Sequence, residues 1–175
     1  DSLETAKSIL ASLNHKDSVY IRLTGGSPNP SIYENDYTFE IGKGIIINRG
    51  SKVAIITNGA MVYNCIKASE ILKKNNINPT IINMHTIKPL DENIIIKETN
   101  NFDFIFTVEE HNIVGGLGSA ISEAMTKNNI KGKLIRLGIN DNYPKAGSYS
   151  FLKKKLNLDA EGISNSILKK IRNVI

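Results

Sequence analysis

From residue 45 onward, short runs of apolar and β-branched residues alternate with segments of helical periodicity, and this alternation limits the folds open to the chain. Several runs have the length and composition of buried strands: GIIIN, KVAIITN, TIINM, DFIFTVEE and KLIRLGI. Amphipathic segments separate and follow them, for example residues 61–74, LDENIIIKETN and GLGSAISEAMTKN. The pattern predicts an α/β fold in three layers, in which helices cover both faces of a mostly parallel five-stranded sheet.

Two local signals refine this prediction. The first two strand-like runs are separated only by RGS, a spacer short enough for a hairpin, so we expect the first strand to run antiparallel to the others. Asp91 precedes a helical run and is suited to cap it, while Pro89 keeps Lys88 out of the helical region. Two closing helices are predicted in SYSFLKKKL and AEGISNSILKKIR.

The first 40 residues follow a different pattern. Residues 3–13 have apolar side chains at helical spacing, and DSVYIRLTGG predicts a strand that runs into a glycine turn. SPNPSIYENDYTFE contains two prolines and no sustained period, which is typical of a linker. We therefore divide the chain into residues 1–26, a linker at 27–40 and a domain at 41–175. One helix and one strand are too little to fold alone.

Composition narrows the classes of partner and compartment. The net charge is +5, but the lysines are spread in pairs and triples along helical segments, without an arginine-rich run, so we expect no nucleic-acid partner. Cys65 is the one cysteine, which excludes an internal disulfide, and its helical surroundings favour a core role. No apolar run reaches the roughly 18 residues of a membrane span, and the start has no signal-peptide pattern. We predict a cytoplasmic protein.

The stretch FTVEEHNIVGGLGSA carries the strongest chemical signal. Glu109, Glu110 and His111 lie at the predicted carboxyl end of a strand, where ligands gather in open α/β sheets. A carboxylate beside an imidazole can tune it for general acid–base work. Because successive strand residues point to opposite faces, Glu109 is the glutamate expected to share the side of His111. We take His111 and Glu109 as candidate catalytic residues.

Three glycines follow at the start of a predicted helix: Gly115, Gly116 and Gly118. The free N–H groups of such a helix end can bind an anion. The spacing matches neither common phosphate-binding fingerprint, and glycines at this position are at least as often required for close packing of helix on strand. No metal site is predicted, since His85, His111 and the glutamates lack ligand spacing.

Taken in order, these stretches resemble the transketolase family, including its 1-deoxyxylulose-5-phosphate synthase members. The resemblance is carried by YIRLTGGSPNP, FEIGKG, GSKVAIITNGAMV, ASEIL, TIKPLD, TVEEHNIVGGLGSAISE and LGINDNYPKAG, and it covers nearly the whole chain. It implies an enzyme of three parts that works as a dimer, with thiamine diphosphate and Mg²⁺ between subunits, and that transfers a two-carbon ketol unit with a sugar or sugar phosphate as substrate.

In that comparison, residues 1–26 are the last helix and strand of a pyrimidine-binding domain, and residues 41–175 are the C-terminal domain. The activating glutamate and the G-D-G metal motif of the family have no counterpart in this sequence. We therefore expect a fragment or small subunit that is inactive alone, binds no cofactor, and pairs with a second copy or with the N-terminal part of the enzyme.

The resemblance also singles out Arg22 as a candidate substrate-binding residue. The family often has a second arginine a few residues later that contacts the substrate phosphate, and Gly25 stands near that place here. This departure bears directly on whether the substrate is a phosphorylated sugar.

Two other functions are kept as alternatives. One is the C-terminal domain of the β subunit of a 2-oxo-acid dehydrogenase, although TIKPLD together with TVEEHN fits transketolase better. The other is a non-catalytic module that binds an anion or nucleotide at the glycine turn. Calorimetry of the isolated chain with a phosphate ligand separates that module from the enzyme part.

Overall fold

The structure, a computed structural model, describes residues 1–25 and 29–173. Within these residues the chain forms five strands and six helices. In chain order they are α1 (Ser2–Leu13), β1 (Ile45–Asn48), β2 (Val53–Thr57), α2 (Met61–Lys73), β3 (Thr80–Asn83), α3 (Glu92–Thr99), β4 (Phe104–Asn112), α4 (Leu117–Lys127), β5 (Lys133–Ile139), α5 (Tyr149–Lys155) and α6 (Ala160–Arg172). The strands predicted from residue 45 onward are all present.

The strands form one sheet in the order β1-β3-β2-β4-β5. β2 pairs in parallel with β3 and β4, and β4 pairs in parallel with β5. β1 is antiparallel, as predicted, but the proposed hairpin between the first two strands is wrong because β1 pairs with β3. β2 already has a parallel neighbour on each side, so β1 takes the outer edge of β3.

Helices cover both faces of the sheet, which confirms the three-layer architecture. On one face, α2 and α6 pack Met61, Cys65 and Ile163 against side chains of β2 and β4. On the other face, α3 and α4 pack Ile95 and Ile121 against the alternate residues of the same strands. β2 is buried on both faces over its whole length, as expected for a central parallel strand.

The strand predicted in DSVYIRLTGG is absent: residues 17–25 form neither helix nor strand. A strand needs a hydrogen-bonded neighbour, and this segment lies outside the sheet. Its apolar side chains are largely in solvent, and Tyr20 is 90% exposed. α1 forms as predicted but has no buried residue.

Residues 29–40 also form neither helix nor strand, which agrees with their composition. The predicted boundary at residues 26 and 27 lies outside the described residues, so the division into three units stays a prediction. No helix in the described part of the chain is both long enough and apolar enough to cross a membrane.

The sheet brings chemistry-bearing residues to one edge. Because β2 to β5 are parallel, Thr57, Asn83 and the last residues of β4 lie at the same carboxyl edge. β4 is the longest strand, and its pairing with β5 is interrupted between Val108 and Asn112. Such irregularities change the direction of side chains and are frequent beside functional sites.

Candidate functional site

Glu109 is a fully buried carboxylate at the carboxyl end of β4. Its two oxygens accept hydrogen bonds from the backbone N–H groups of Leu117 at 2.7 Å and Gly118 at 3.2 Å. Gly116, the N-cap residue of α4, supplies no side-chain cap. Glu109 therefore caps α4 from the end of β4, and its carboxylate lies at the positive end of the helix dipole.

The glycine turn is built around this carboxylate. A Cβ at Gly116 would lie 2.1 Å from Glu109 Oε2 and 2.8 Å from His111 Cε1, so a side chain here would displace the Glu109 carboxylate and the His111 ring. Gly115 has a positive φ of 77°, which also favours glycine. A Cβ at Gly118 would lie 2.8 Å from Thr107 Oγ1. These glycines allow the backbone to approach Glu109. Two of the N–H groups that were predicted to bind an external anion therefore already bind the carboxylate of Glu109.

His111 lies on the same side of β4 as Glu109, as the alternation predicted. Its Nδ1 is 3.4 Å from Glu109 Oε2 and 3.3 Å from the carbonyl oxygen of Asn112. The histidine side chain is 45% exposed. The structure thus brings His111, Glu109 and the glycine turn together, with the imidazole open to solvent and the carboxylate buried behind it.

Glu110 points the other way and makes a separate group of contacts. Its Oε1 accepts a 2.8 Å hydrogen bond from Arg22 Nη1, and its Oε2 accepts a 2.6 Å hydrogen bond from the hydroxyl of Tyr149. Burial alone would raise the pKa of Glu110, but the hydrogen bonds from Tyr149 and Arg22 and the nearby positive charges outweigh it and lower that pKa. Arg22, the predicted substrate residue, thus lies at the same edge but pairs with Glu110.

A second polar cluster at this edge was not predicted. The amide of Asn83, at the end of β3, donates to the Tyr33 hydroxyl at 2.8 Å and also to the Glu4 carboxylate. Burial, the largest influence, raises the pKa of Glu4 despite these hydrogen bonds. The cluster joins α1 and the linker to the sheet. Its sequence signal was an asparagine that closes the otherwise apolar run TIIN.

His85 lies just beyond the end of β3, and its contacts are with neighbouring side chains of the fold. Its ring stacks on Phe39, with the ring centres 4.1 Å apart, and its Nδ1 lies 2.9 Å from the Thr86 hydroxyl. Burial lowers the pKa of His85 to about 4, so the imidazole is neutral at neutral pH. The predicted cap at Asp91 is confirmed, since its side chain accepts from the N–H of Ile94.

One surface cavity of the described chain lies away from these residues. It has a volume of about 740 Å³ and is lined by residues at the amino ends of the strands, including Lys52, Phe102 and Lys133. The carboxyl end of α3 also reaches it, at Asn100 and Asn101. Among residues 1–25 and 29–173, no group of three or more His, Cys, Asp or Glu side chains is arranged to hold a metal ion.

Comparison with known proteins gives a consistent picture. Residues 42–163 match the family described as "Transketolase, C-terminal domain". The chain is 41% identical over 174 residues to a "Putative transketolase C-terminal section" of Methanocaldococcus jannaschii, a match that covers 98% of this chain and 54% of that protein. It is 34% identical to a 1-deoxy-D-xylulose-5-phosphate synthase of Caldanaerobacter subterraneus subsp. tengcongensis, over 99% of this chain and 28% of the enzyme.

Among solved structures, the chain is similar to one described as "Split gene transketolase, inactive beta4 tetramer". The TM-score is 0.76 at 26% sequence identity, and the match covers 82% of this chain and 46% of that one. The chain therefore spans about half the length of two of these proteins and just over a quarter of the third.

Proposed function

The chain belongs to the family of transketolase C-terminal domains, and from this premise we propose that it is the C-terminal part of an enzyme that transfers a two-carbon ketol unit with thiamine diphosphate. In this proposal it contributes scaffold, subunit contacts and one rim of the active-site cleft. The remainder of the enzyme lies in another segment or in a separate subunit. The isolated chain is expected to be inactive.

The observation that carries the proposal is the extent of the match. The family model covers residues 42–163, whereas the similarity to the archaeal and bacterial relatives extends over 174 residues. The first 40 residues and the C-terminal domain are thus shared as one continuous unit. This supports the proposal that residues 1–26 belong to a preceding pyrimidine-binding domain and that residues 27–40 connect it to the C-terminal domain.

The contacts at the carboxyl edge support distinct roles for the candidate residues. Glu109 holds the glycine turn and stands 3.4 Å from His111, so it orients the imidazole and is not free to bind substrate. His111 is the exposed acid–base group of the pair. Arg22 is the cationic group of the rim, and Gly115, Gly116 and Gly118 shape the turn beside it.

The glycine turn does not fit the diphosphate of the cofactor, and the described residues do not fit its Mg²⁺. Two leading N–H groups of α4 are occupied by Glu109, and the described chain has no cluster of carboxylates arranged for a metal. We therefore assign the cofactor to the other part of the enzyme and derive no step through it. The same occupancy by Glu109 argues against a stand-alone anion-binding module.

Reconstitution tests this function. The chain is mixed with the complementary N-terminal section of its enzyme, and ketol transfer between a ketose phosphate and an aldose phosphate is measured with thiamine diphosphate and Mg²⁺. We expect activity from the mixture and none from either part. Calorimetric titration of the chain alone with thiamine diphosphate should give no binding heat. Tight binding or activity of the chain alone would contradict the proposal.

A second reaction is favoured by the 34% identity to a 1-deoxy-D-xylulose-5-phosphate synthase. The same mixture is therefore also assayed for formation of 1-deoxy-D-xylulose 5-phosphate. Introducing Gly25→Arg restores the arginine that the family often has near this position. If the substrate is phosphorylated, this variant should lower the KM; an unchanged KM would favour a substrate without a phosphate there.

A further inference from the structure

Glu110 joins two segments that are far apart in the sequence. Arg22 belongs to the N-terminal region and Tyr149 begins α5, yet both donate to the same carboxylate, on opposite oxygens. The Glu110 side chain is only 16% exposed, whereas that of Arg22 is 59% exposed. The carboxylate is therefore enclosed between its two donors, and we call these three residues the rim clamp.

The rim clamp is the polar link between the segment at residues 18–25 and the domain. In the described part of the chain, these residues make no backbone–backbone hydrogen bond, and Arg22 to Glu110 is their one ion pair or hydrogen bond to the sheet. Ile21 is half-buried, and the rest of the segment is exposed. The Arg22–Glu110 pair is therefore the polar contact that ties the segment to the sheet, beside the partial burial of Ile21 and a hydrogen bond from Asn29 to the Thr24 hydroxyl.

Tyr149 adds direction to that pair. An arginine and an isolated carboxylate can meet in several side-on and end-on arrangements, and an exposed pair of this kind contributes little by itself. The phenol occupies Oε2 at 2.6 Å and leaves Oε1 for Arg22. The hydrogen bond to Glu110 contributes, after burial, to a raised pKa of Tyr149, so the phenol stays a donor across the physiological range.

We propose that Glu110 and Tyr149 are positioning residues for Arg22, which they hold at the carboxyl edge of the sheet with its remaining N–H groups facing outward. The contribution of Arg22 to substrate binding rests on the proposed function, whereas the rim clamp itself does not. The clamp also links the order of residues 18–25 to α5. Tyr149, which follows β5, thereby helps to determine the position of Arg22, which precedes the linker.

The rim clamp is tested on the full chain labelled with ¹⁵N and with tyrosine ¹³Cζ. We expect Glu110→Gln to lower the heteronuclear NOE of residues 18–25 and to shift the ¹³Cζ resonance of Tyr149. Arg22→Gln should have both effects as well, and Arg22→Lys should restore part of the order. Tyr149→Phe should reduce the order of residues 18–25 to a smaller extent. Glu123→Gln, at an exposed glutamate of α4, is the matched control and should change neither signal.

Unchanged NOE values at residues 18–25 in Glu110→Gln would overturn the proposal, because the segment would then be held by other contacts. In the reconstituted enzyme, we expect Glu110→Gln and Tyr149→Phe to raise the KM for the phosphorylated sugar by up to about tenfold while kcat stays within about twofold, as for loss of a positioned charge-assisted hydrogen bond. An inactive mixture would count against the proposed function, and the NMR result would still decide the rim clamp.

Discussion

Replacing Glu109 should destabilise the protein more than replacing any other glutamate at this edge. In Glu109→Ala, the N–H groups of Leu117 and Gly118 lose acceptors at 2.7 and 3.2 Å in the interior. Each buried N–H left unsatisfied costs about 1–3 kcal/mol, and losing a carboxylate at a helix N-terminus costs up to about 2 kcal/mol more. We expect the free energy of unfolding to fall by about 3–5 kcal/mol in Glu109→Ala and by about 1–2 kcal/mol in Glu109→Gln, which keeps one acceptor.

Urea unfolding followed by far-ultraviolet circular dichroism measures both changes through the transition midpoint at constant slope. Glu123→Gln is the control, because it changes the same residue type on the exposed face of α4 and should stay within about 0.5 kcal/mol of the unsubstituted protein. If Glu109→Ala also stayed within that range, Glu109 would not be the cap of α4.

Sulfate provides an independent check of the same reasoning. Removing the internal carboxylate leaves the N–H groups of α4 free, and such helix ends bind external anions. Added sulfate should therefore stabilise Glu109→Ala more than it stabilises the unsubstituted protein, which gains only the general effect of an excluded salt. Equal stabilisation of the two proteins would mean that the helix end does not accept an external anion.

Three further predictions concern groups away from the glycine turn. The pKa of His85 is lowered to about 4, so the stability that its neutral form provides is present above the unfolded pKa near 6.5 and is lost as the pH falls toward 4. The loss in the free energy of unfolding should be at most about 3 kcal/mol. In urea titrations at several pH values, His85→Phe should remove this pH dependence of stability. The pKa of Glu4 is raised, so the stability that its protonated form provides is present below the unfolded pKa of 4.5 and is lost as the pH rises through the raised pKa of the folded state. Glu4→Gln should therefore keep α1 docked at higher pH, as measured by amide exchange. Burial raises the pKa of the Cys65 thiol to about 12, so a thiol reagent should label it only at the rate of unfolding, and fast labelling of the native protein would contradict this.

The fold was predictable because the central strands β2 and β3 are buried on both faces. β2 and β3 contain no exposed residue, and their apolar runs stand out from the amphipathic segments around them. The strand predicted at DSVYIRLTGG failed because its composition, though typical of a strand, does not supply the neighbour that a strand requires. Pairing between distant segments is likewise not contained in a local pattern, which is why β1 was assigned the wrong partner.

In the candidate site, the sequence could predict only those positions that follow from the alternation of side chains between the two faces of β4. Alternation placed Glu109 beside His111, and the structure agrees. It said nothing of the distant partners of Glu110, because Arg22 is 88 residues away and Tyr149 is 39 residues away. The sequence identified the glycine turn as a helix end suited to bind an anion. The anion bound there is the carboxylate of Glu109, a residue of the same motif.

The three consecutive residues Glu109, Glu110 and His111 are therefore used in three different ways. A strand sends neighbouring side chains to opposite faces, so identical glutamates meet different surroundings: one caps a helix inside the protein and the other holds Arg22 at the surface. Both carboxylates have their principal contacts within the chain. The imidazole faces solvent over 45% of its side-chain surface and makes only long contacts at Nδ1. If this motif takes part in chemistry in the complete enzyme, His111 is the member that remains open to a ligand, and the glutamates determine where it points.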